Sequence, residues 1–164
     1  MKSKYLAEFI GTAFLFWAVV GSGIMGQNMN QNDAVTLLAN TFATIFALYF
    51  LITCLGKYSS HFNPVVSLVM RLRGEINTNT FFVFSILQIG GAIFGVILAN
   101  YLFDLEPFQF SEKARSGTNI FVSEIVASFG LLLVILLSSR EKVAATVAAY
   151  IGGAYWFTSS TSFA

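Results

Sequence analysis

Five stretches of this chain are each long and apolar enough to cross a lipid bilayer: about Tyr5–Met25, Ala34–Leu55, Phe81–Phe103, Ile120–Ser138 and Val143–Ser162. The hydrocarbon core of a bilayer is about 30 Å thick, and a helix needs about 20 mostly apolar residues to span it. Within that core only helices and closed barrels satisfy their own backbone groups. Runs of this length imply helices, so the expected fold class is an all-α membrane protein. Composition supports this: 56% of the residues are hydrophobic and only 10% charged, against about 25% charged in soluble domains. The fifth stretch is the least regular, because Thr158 to Ser162 turns polar.

Other classes are excluded on similar grounds. A formal net charge of +1 lacks the concentrated basic face that a nucleic-acid partner requires. One cysteine, Cys54, and one histidine, His61, rule out an internal disulfide and a metal cluster, and no cofactor is implied. Cys54 sits in an apolar run and reads as a small buried hydrophobe. The scattered acids supply no convergent nucleophile, base or metal site, so an enzyme is not expected. Lys2 and Lys4 precede the first apolar stretch, yet that stretch ends in Gly26-Gln27-Asn28 rather than at a small-residue cleavage site. It reads as a retained span and not a signal peptide.

Between the second and third spans, Pro64–Met70 is apolar but too short to cross. Asn63 is a favoured N-cap and Pro64 suits the first helical position, while Arg71 and Arg73 at the far end suit the negative pole of a helix dipole. The stretch reads as a re-entrant half-helix, which a membrane tolerates only where its backbone lines a cavity or is buried in protein. Basic residues then set the orientation. With the N-terminus in the cytoplasm, Lys2, Lys4, Lys57, Arg71, Arg73, Arg140 and Lys142 lie inside and only Lys113 and Arg115 outside.

An internal repeat is visible in outline. Ala7-Glu8-Phe9-Ile10-Gly11-Thr12 opens the first span, and Ser123-Glu124-Ile125-Val126-Ala127-Ser128 opens the fourth. Both read small, Glu, apolar, apolar, small, hydroxyl, and the two spans start from opposite sides of the membrane. Opposed units of this kind are inverted repeats, whose permeation sites lie where the units meet. Glu8 and Glu124 inside apolar helices are costly. They read as structural buried acids accepting from loop backbone donors, with contact to headgroups as the alternative. The expectation is one domain, residues 1–164, with a first repeat over about 1–103 and a partial second over about 118–164.

The segment Ser59-Ser60-His61-Phe62-Asn63-Pro64-Val65-Val66-Ser67-Leu68 resembles the first pore signature of the major intrinsic protein, or aquaporin, family, usually His-Phe-Asn-Pro-Ala-Val-Thr. Ala7–Thr12 is similar to the opening of that family's first helix. Ala154 to Ala164 resembles the run into the second Asn-Pro-Ala of a bacterial subgroup linked with arsenite movement. The resemblance implies an aquaporin-like inverted-repeat helix bundle, here five transmembrane helices and one re-entrant half-helix. It also implies a passive channel in a bacterial inner membrane, tetrameric in the intact family.

Site residues follow from the same resemblance. His61, Asn63, Pro64 and Val65 form the pore motif, with Val65 replacing the usual Ala. Asn63 would donate hydrogen bonds to a passing solute, and the carbonyls of about Ser59 to Phe62 would form an acceptor ladder. Ala43, Gly153 and Ser162 fall at the positions of the selectivity constriction, where small side chains imply small neutral solutes such as glycerol or arsenite as well as water; helix packing is the alternative for Gly153. His61 is expected to make a structural bond within the loop or to confer pH sensitivity. Tyr155, Trp156 and Phe157 read as an interfacial aromatic belt. The chain ends at Ala164, where the second Asn would follow, so the second half-helix and sixth span are expected to be missing. The alternative to a channel is therefore a truncated, non-conducting fragment.

Overall fold

The computed structural model describes residues 2–30, 32–109, 115–160 and 162. Lys113, Thr161, Phe163 and Ala164 lie outside the described residues. The elements are α1 (Lys2–Asn30), α2 (Asp33–Leu55), α3 (Pro64–Leu72), α4 (Thr78–Leu102), α5 (Thr118–Leu137) and α6 (Val143–Phe157). No strand occurs among the described residues. Helix starts follow local capping chemistry. Asn32 Oδ1 accepts from the N–H groups of Ala34 and Val35 at 3.0 and 3.2 Å, and Asn77 Oδ1 accepts from Thr80 N–H at 2.8 Å. Each bond satisfies a donor that the first helical turn leaves over.

Four helices, α1, α2, α4 and α5, are long and apolar enough to cross a membrane. The fifth expected span is shorter than the sequence suggested: α6 has 15 residues, about 22 Å at 1.5 Å per residue. It stops at Phe157 because Thr158 turns extended, with φ −119° and ψ 156°, and its Oγ1 donates to Ala154 O at 2.8 Å. The polar residues that follow leave the helix to meet α5.

α1 packs against both α2 and α4, α2 against α6, α6 against α5, and α3 against α4. The main core lies where α2, α3 and α6 meet, around Leu48, Leu51, Phe62, Val66, Val147 and Ile151. The outer faces are apolar. Ile86 is 70% exposed, Phe121 66% and Leu137 77%, which suits contact with lipid rather than water. Cys54 is exposed on α2, not buried as its apolar setting suggested, because it falls on this outward face.

Tyr155 also departs from the expectation of an interfacial belt. It is 4% exposed, and its hydroxyl shares a hydrogen bond of 2.8 Å with Thr44 Oγ1 across the α2–α6 contact. Trp156 and Phe157 are exposed, and Trp156 Nε1 donates to Thr41 Oγ1 at 3.2 Å. α1 and α4 touch closely at Gly91 and Gly95. A Cβ on Gly91 would lie 3.2 Å from Ala13 N, and one on Gly95 3.0 Å from Trp17 N. Small residues one turn apart permit such backbone approach in membranes.

Candidate functional site

After α2 the chain turns at Gly56–Tyr58, with Tyr58 N–H and Ser59 N–H both donating to Leu55 O at 2.8 and 3.1 Å. It then runs back through Ser59 to Phe62 into α3. α3 has nine residues, about 14 Å of helix, so it cannot cross the bilayer. Asn63 caps it in an extended conformation, its Oδ1 accepting from Val65 N–H at 2.7 Å. Pro64 follows at the first position, and Arg71 stands in the last turn. The positive end of the helix therefore opens at Asn63.

Glu8 holds the loop in place. It is 0% exposed, and each carboxyl oxygen accepts twice. Oε1 takes the Ser59 hydroxyl and the His61 N–H, the latter at 2.9 Å. Oε2 takes the Phe62 N–H at 2.8 Å and Gln88 Nε2 at 2.8 Å. All peptide bonds are trans among the described residues, and a trans peptide points its N–H and C=O in opposite directions. With the His61 and Phe62 N–H groups aimed at Glu8, the carbonyls of Ser60 and His61 are aimed away from α1. The carboxyl group thus sets which way the loop's acceptors face.

Phe62 adopts φ 49°, a left-handed conformation that costs a non-glycine residue about 1–2 kcal/mol. Its burial at 5% exposure and its bond to Glu8 hold it there. Its ring lies against Gly11, where any Cβ would overlap ring atoms. Glu8 and Gly11, one turn apart on α1, therefore grip the same residue by backbone and by ring. Gly11→Ala should destabilise the protein by about 1–3 kcal/mol, the usual cost of overpacking. Thermal unfolding in detergent would measure it, and an unchanged midpoint would refute the grip.

A second layer joins α3 to α4. Ser67, 0% exposed, sits between His61 Nδ1 at 3.0 Å and Gln88 Nε2 at 2.9 Å. Gln88 uses both amide hydrogens, one on Glu8 and one on Ser67. Ser67 is then an acceptor for Gln88, and it shares a further hydrogen bond with His61 Nδ1. The His61 ring also meets Phe84 edge-on, centroids 5.4 Å apart.

The second acid has a parallel arrangement. Glu124, on α5, accepts from Ser160 Oγ at 2.8 Å, from Ser162 N–H at 3.1 Å and from the Ser162 hydroxyl. Its neighbour Ser123 accepts from Ser159 N–H at 2.9 Å. In both cases a glutamate early in one helix binds the segment that follows the next helix.

The structure therefore brings together Glu8, His61, Asn63 and Pro64 in one place, and Glu124 with Ser162 in another. Val65 is 43% exposed at the start of α3. Ala43 is half-buried on α2, and Gly153 is half-buried with its α-carbon facing the ring of Phe157 one turn on. It is Gly152 that faces α2, against Ile45. Sequence reasoning missed Ser59, Ser67 and Gln88 as loop partners. Gln88 did carry a signal, as a lone amide in the apolar run Ile86-Leu87-Gln88-Ile89.

The chain is similar in sequence to known proteins. The profile of the Major intrinsic protein family matches residues 1–159. The chain is 48% identical over 168 residues to Aquaglyceroporin AqpS of Rhizobium meliloti (strain 1021), covering 100% of this chain and 72% of that protein. It is 28% identical over 148 residues to Aquaporin NIP2-1 of Arabidopsis thaliana, covering 85% of this chain and 51% of that protein. It is also 28% identical over 143 residues to the probable aquaporin TIP-type RB7-5A of Nicotiana tabacum, 84% of this chain and 57% of that protein. The chain spans little more than half the length of these two plant proteins.

Proposed function

Because the chain belongs to the major intrinsic protein family, we propose that it serves as a passive membrane channel for water and small uncharged solutes of the glycerol or arsenite class. The observation that carries this reading is the loop held by Glu8. Its Ser60 and His61 carbonyls face away from α1, and they lead to Asn63 at the positive end of α3. Carbonyl acceptors followed by an amide donor would exchange hydrogen bonds with a polar solute shedding its water. The helix end would oppose cations. Likeness to an aquaglyceroporin along the full chain favours this channel over the non-conducting alternative.

The finer features belong to the same proposal. Ala43, Gly153 and Ser162 would line a wide constriction that admits solutes larger than water. The parallel between Glu8 and Glu124 supports two inverted repeats, about 1–103 and about 118–164. The excess of basic residues on one side supports a cytoplasmic N-terminus in a bacterial inner membrane, and the family resemblance supports a homotetramer. Stopped-flow swelling of liposomes containing the chain tests the reading. Water and glycerol should both cross faster than in protein-free liposomes. Water without glycerol would overturn the solute class, and neither would overturn the channel.

A further inference from the structure

α2 and α6 are apolar helices, yet over one short stretch they meet through hydroxyl groups. Thr41 and Thr44 are buried on α2. Their Oγ1 atoms bond first to their own helix, at Leu37 O (2.7 Å) and Asn40 O (2.8 Å). Each then takes a second bond from α6. Thr44 shares one of 2.8 Å with the Tyr155 hydroxyl, and Thr41 accepts from Trp156 Nε1 at 3.2 Å. In the same stretch Gly152 lies so close to Ile45 that a Cβ would overlap its side chain. α2 is also tied to α1, where Asn40 Nδ2 donates to Val19 O at 2.5 Å. Residues 40–45 of α2 are thus held by two neighbouring helices at once.

Ala43 and Gly153, the positions proposed above to line the constriction, fall inside these contacts. Ala43 lies between Thr41 and Thr44 in the chain, and Gly153 between Gly152 and Tyr155. Bulky side chains around an opening can adjust it by changing rotamer, but alanine and glycine have no rotamers to change. The opening is then set by how far apart the two backbones stand. We propose that Tyr155 and Thr44 are specificity-determining positioning residues, whose hydrogen bond sets the α2–α6 spacing and with it the largest solute admitted. The proposal rests on the channel and the constriction read above. Inside a bilayer no water replaces a lost bond between helices, so removing this one lets the pair stand further apart. Such a bond is worth about threefold in an equilibrium between membrane helices.

The test is stopped-flow swelling of liposomes containing the full chain, with water, glycerol and a four-carbon polyol as probes. The ratio of polyol to water permeability is read, because it does not depend on how much of the protein has folded. Tyr155→Phe and Thr44→Val should each raise that ratio about threefold for the four-carbon polyol. Thr44→Ser keeps a hydroxyl and should keep the wild-type ratio. Tyr150→Phe is the control: its hydroxyl donates to Ala127 O at 2.9 Å across the α5–α6 contact, so a comparable bond is lost away from α2. Its ratio should not change. An unchanged or lower ratio in Tyr155→Phe, or an equal rise in Tyr150→Phe, would overturn the proposal and leave the channel standing. Should Tyr155→Phe fail to fold, Thr44→Val decides. If the wild-type chain passes neither water nor glycerol, the channel reading falls and this one falls with it.

Discussion

Glu8→Ala should destabilise the protein by about 3–5 kcal/mol, a large share of a total stability of about 5–15 kcal/mol. The reason is the number of donors abandoned at once. The Ser59 hydroxyl and the Gln88 amide can rotate toward other acceptors. The His61 and Phe62 N–H groups cannot, because the backbone that carries them is fixed between α2 and α3. A buried donor left without a partner costs about 1–3 kcal/mol, and the hydrocarbon around the bundle offers no water to replace the lost acceptor. The left-handed Phe62 would lose one of its two restraints and relax.

Glu8→Gln separates acceptor chemistry from shape. The amide fills the same space, yet it turns two hydrogens toward a group of donors, so about 2–3 kcal/mol should still be lost. Thermal unfolding in detergent reads the stability. Amide hydrogen exchange reads the cause, because protection at His61 and Phe62 should fall further than protection within α2. A Glu8→Gln variant with wild-type stability and wild-type protection at those two amides would remove Glu8 from its role.

How much of this was legible in the sequence depends on how local each signal is. The start of α3 at Pro64 was readable, because Asn63-Pro64 is a complete capping signal within two residues. The four long helices were readable from apolar length, although α1 runs to Asn30 and not Met25. Helix rotation was not readable. α2 and α6 are apolar all round, so no polar face fixes which side is buried. For that reason Cys54 was placed inside and Tyr155 at the surface, the reverse of what is found. The end of α6 shows in the sequence only as a polar run from Thr158, and what turns that run into a stop is tertiary: Ser159, Ser160 and Ser162 leave the helix to bind Ser123 and Glu124. Glu8 announced itself as a charge within a span, while its partner Gln88 lies 80 residues away and nothing local joins the two.

The contact that sets the distance between Glu8 and Gln88 is the α1–α4 crossing, and Gly95→Leu should break it at a cost of about 3 kcal/mol or more. At Gly95 a Cβ would meet Trp17 N at 3.0 Å and Ala13 C at 3.1 Å. These are backbone atoms, so no change of rotamer relieves the clash and the helices must separate. Separation would stretch the 2.8 Å bond from Gln88 to Glu8, and the pore loop would loosen with it. Loss of hydrogen-exchange protection at His61 and Phe62 should therefore accompany the fall in stability, although Gly95 touches neither residue. Gly90 is the internal control. It precedes Gly91 in the same helix, but a Cβ there would lie 3.8 Å from Phe9 Cε2, an ordinary contact. Gly90→Ala should be neutral or stabilise by up to about 1 kcal/mol, since glycine is a poor helix former. Gly95→Ala, with the same added methyl group, should destabilise clearly. If the two alanine variants melt together, the close approach of α1 and α4 is not what positions the pore loop.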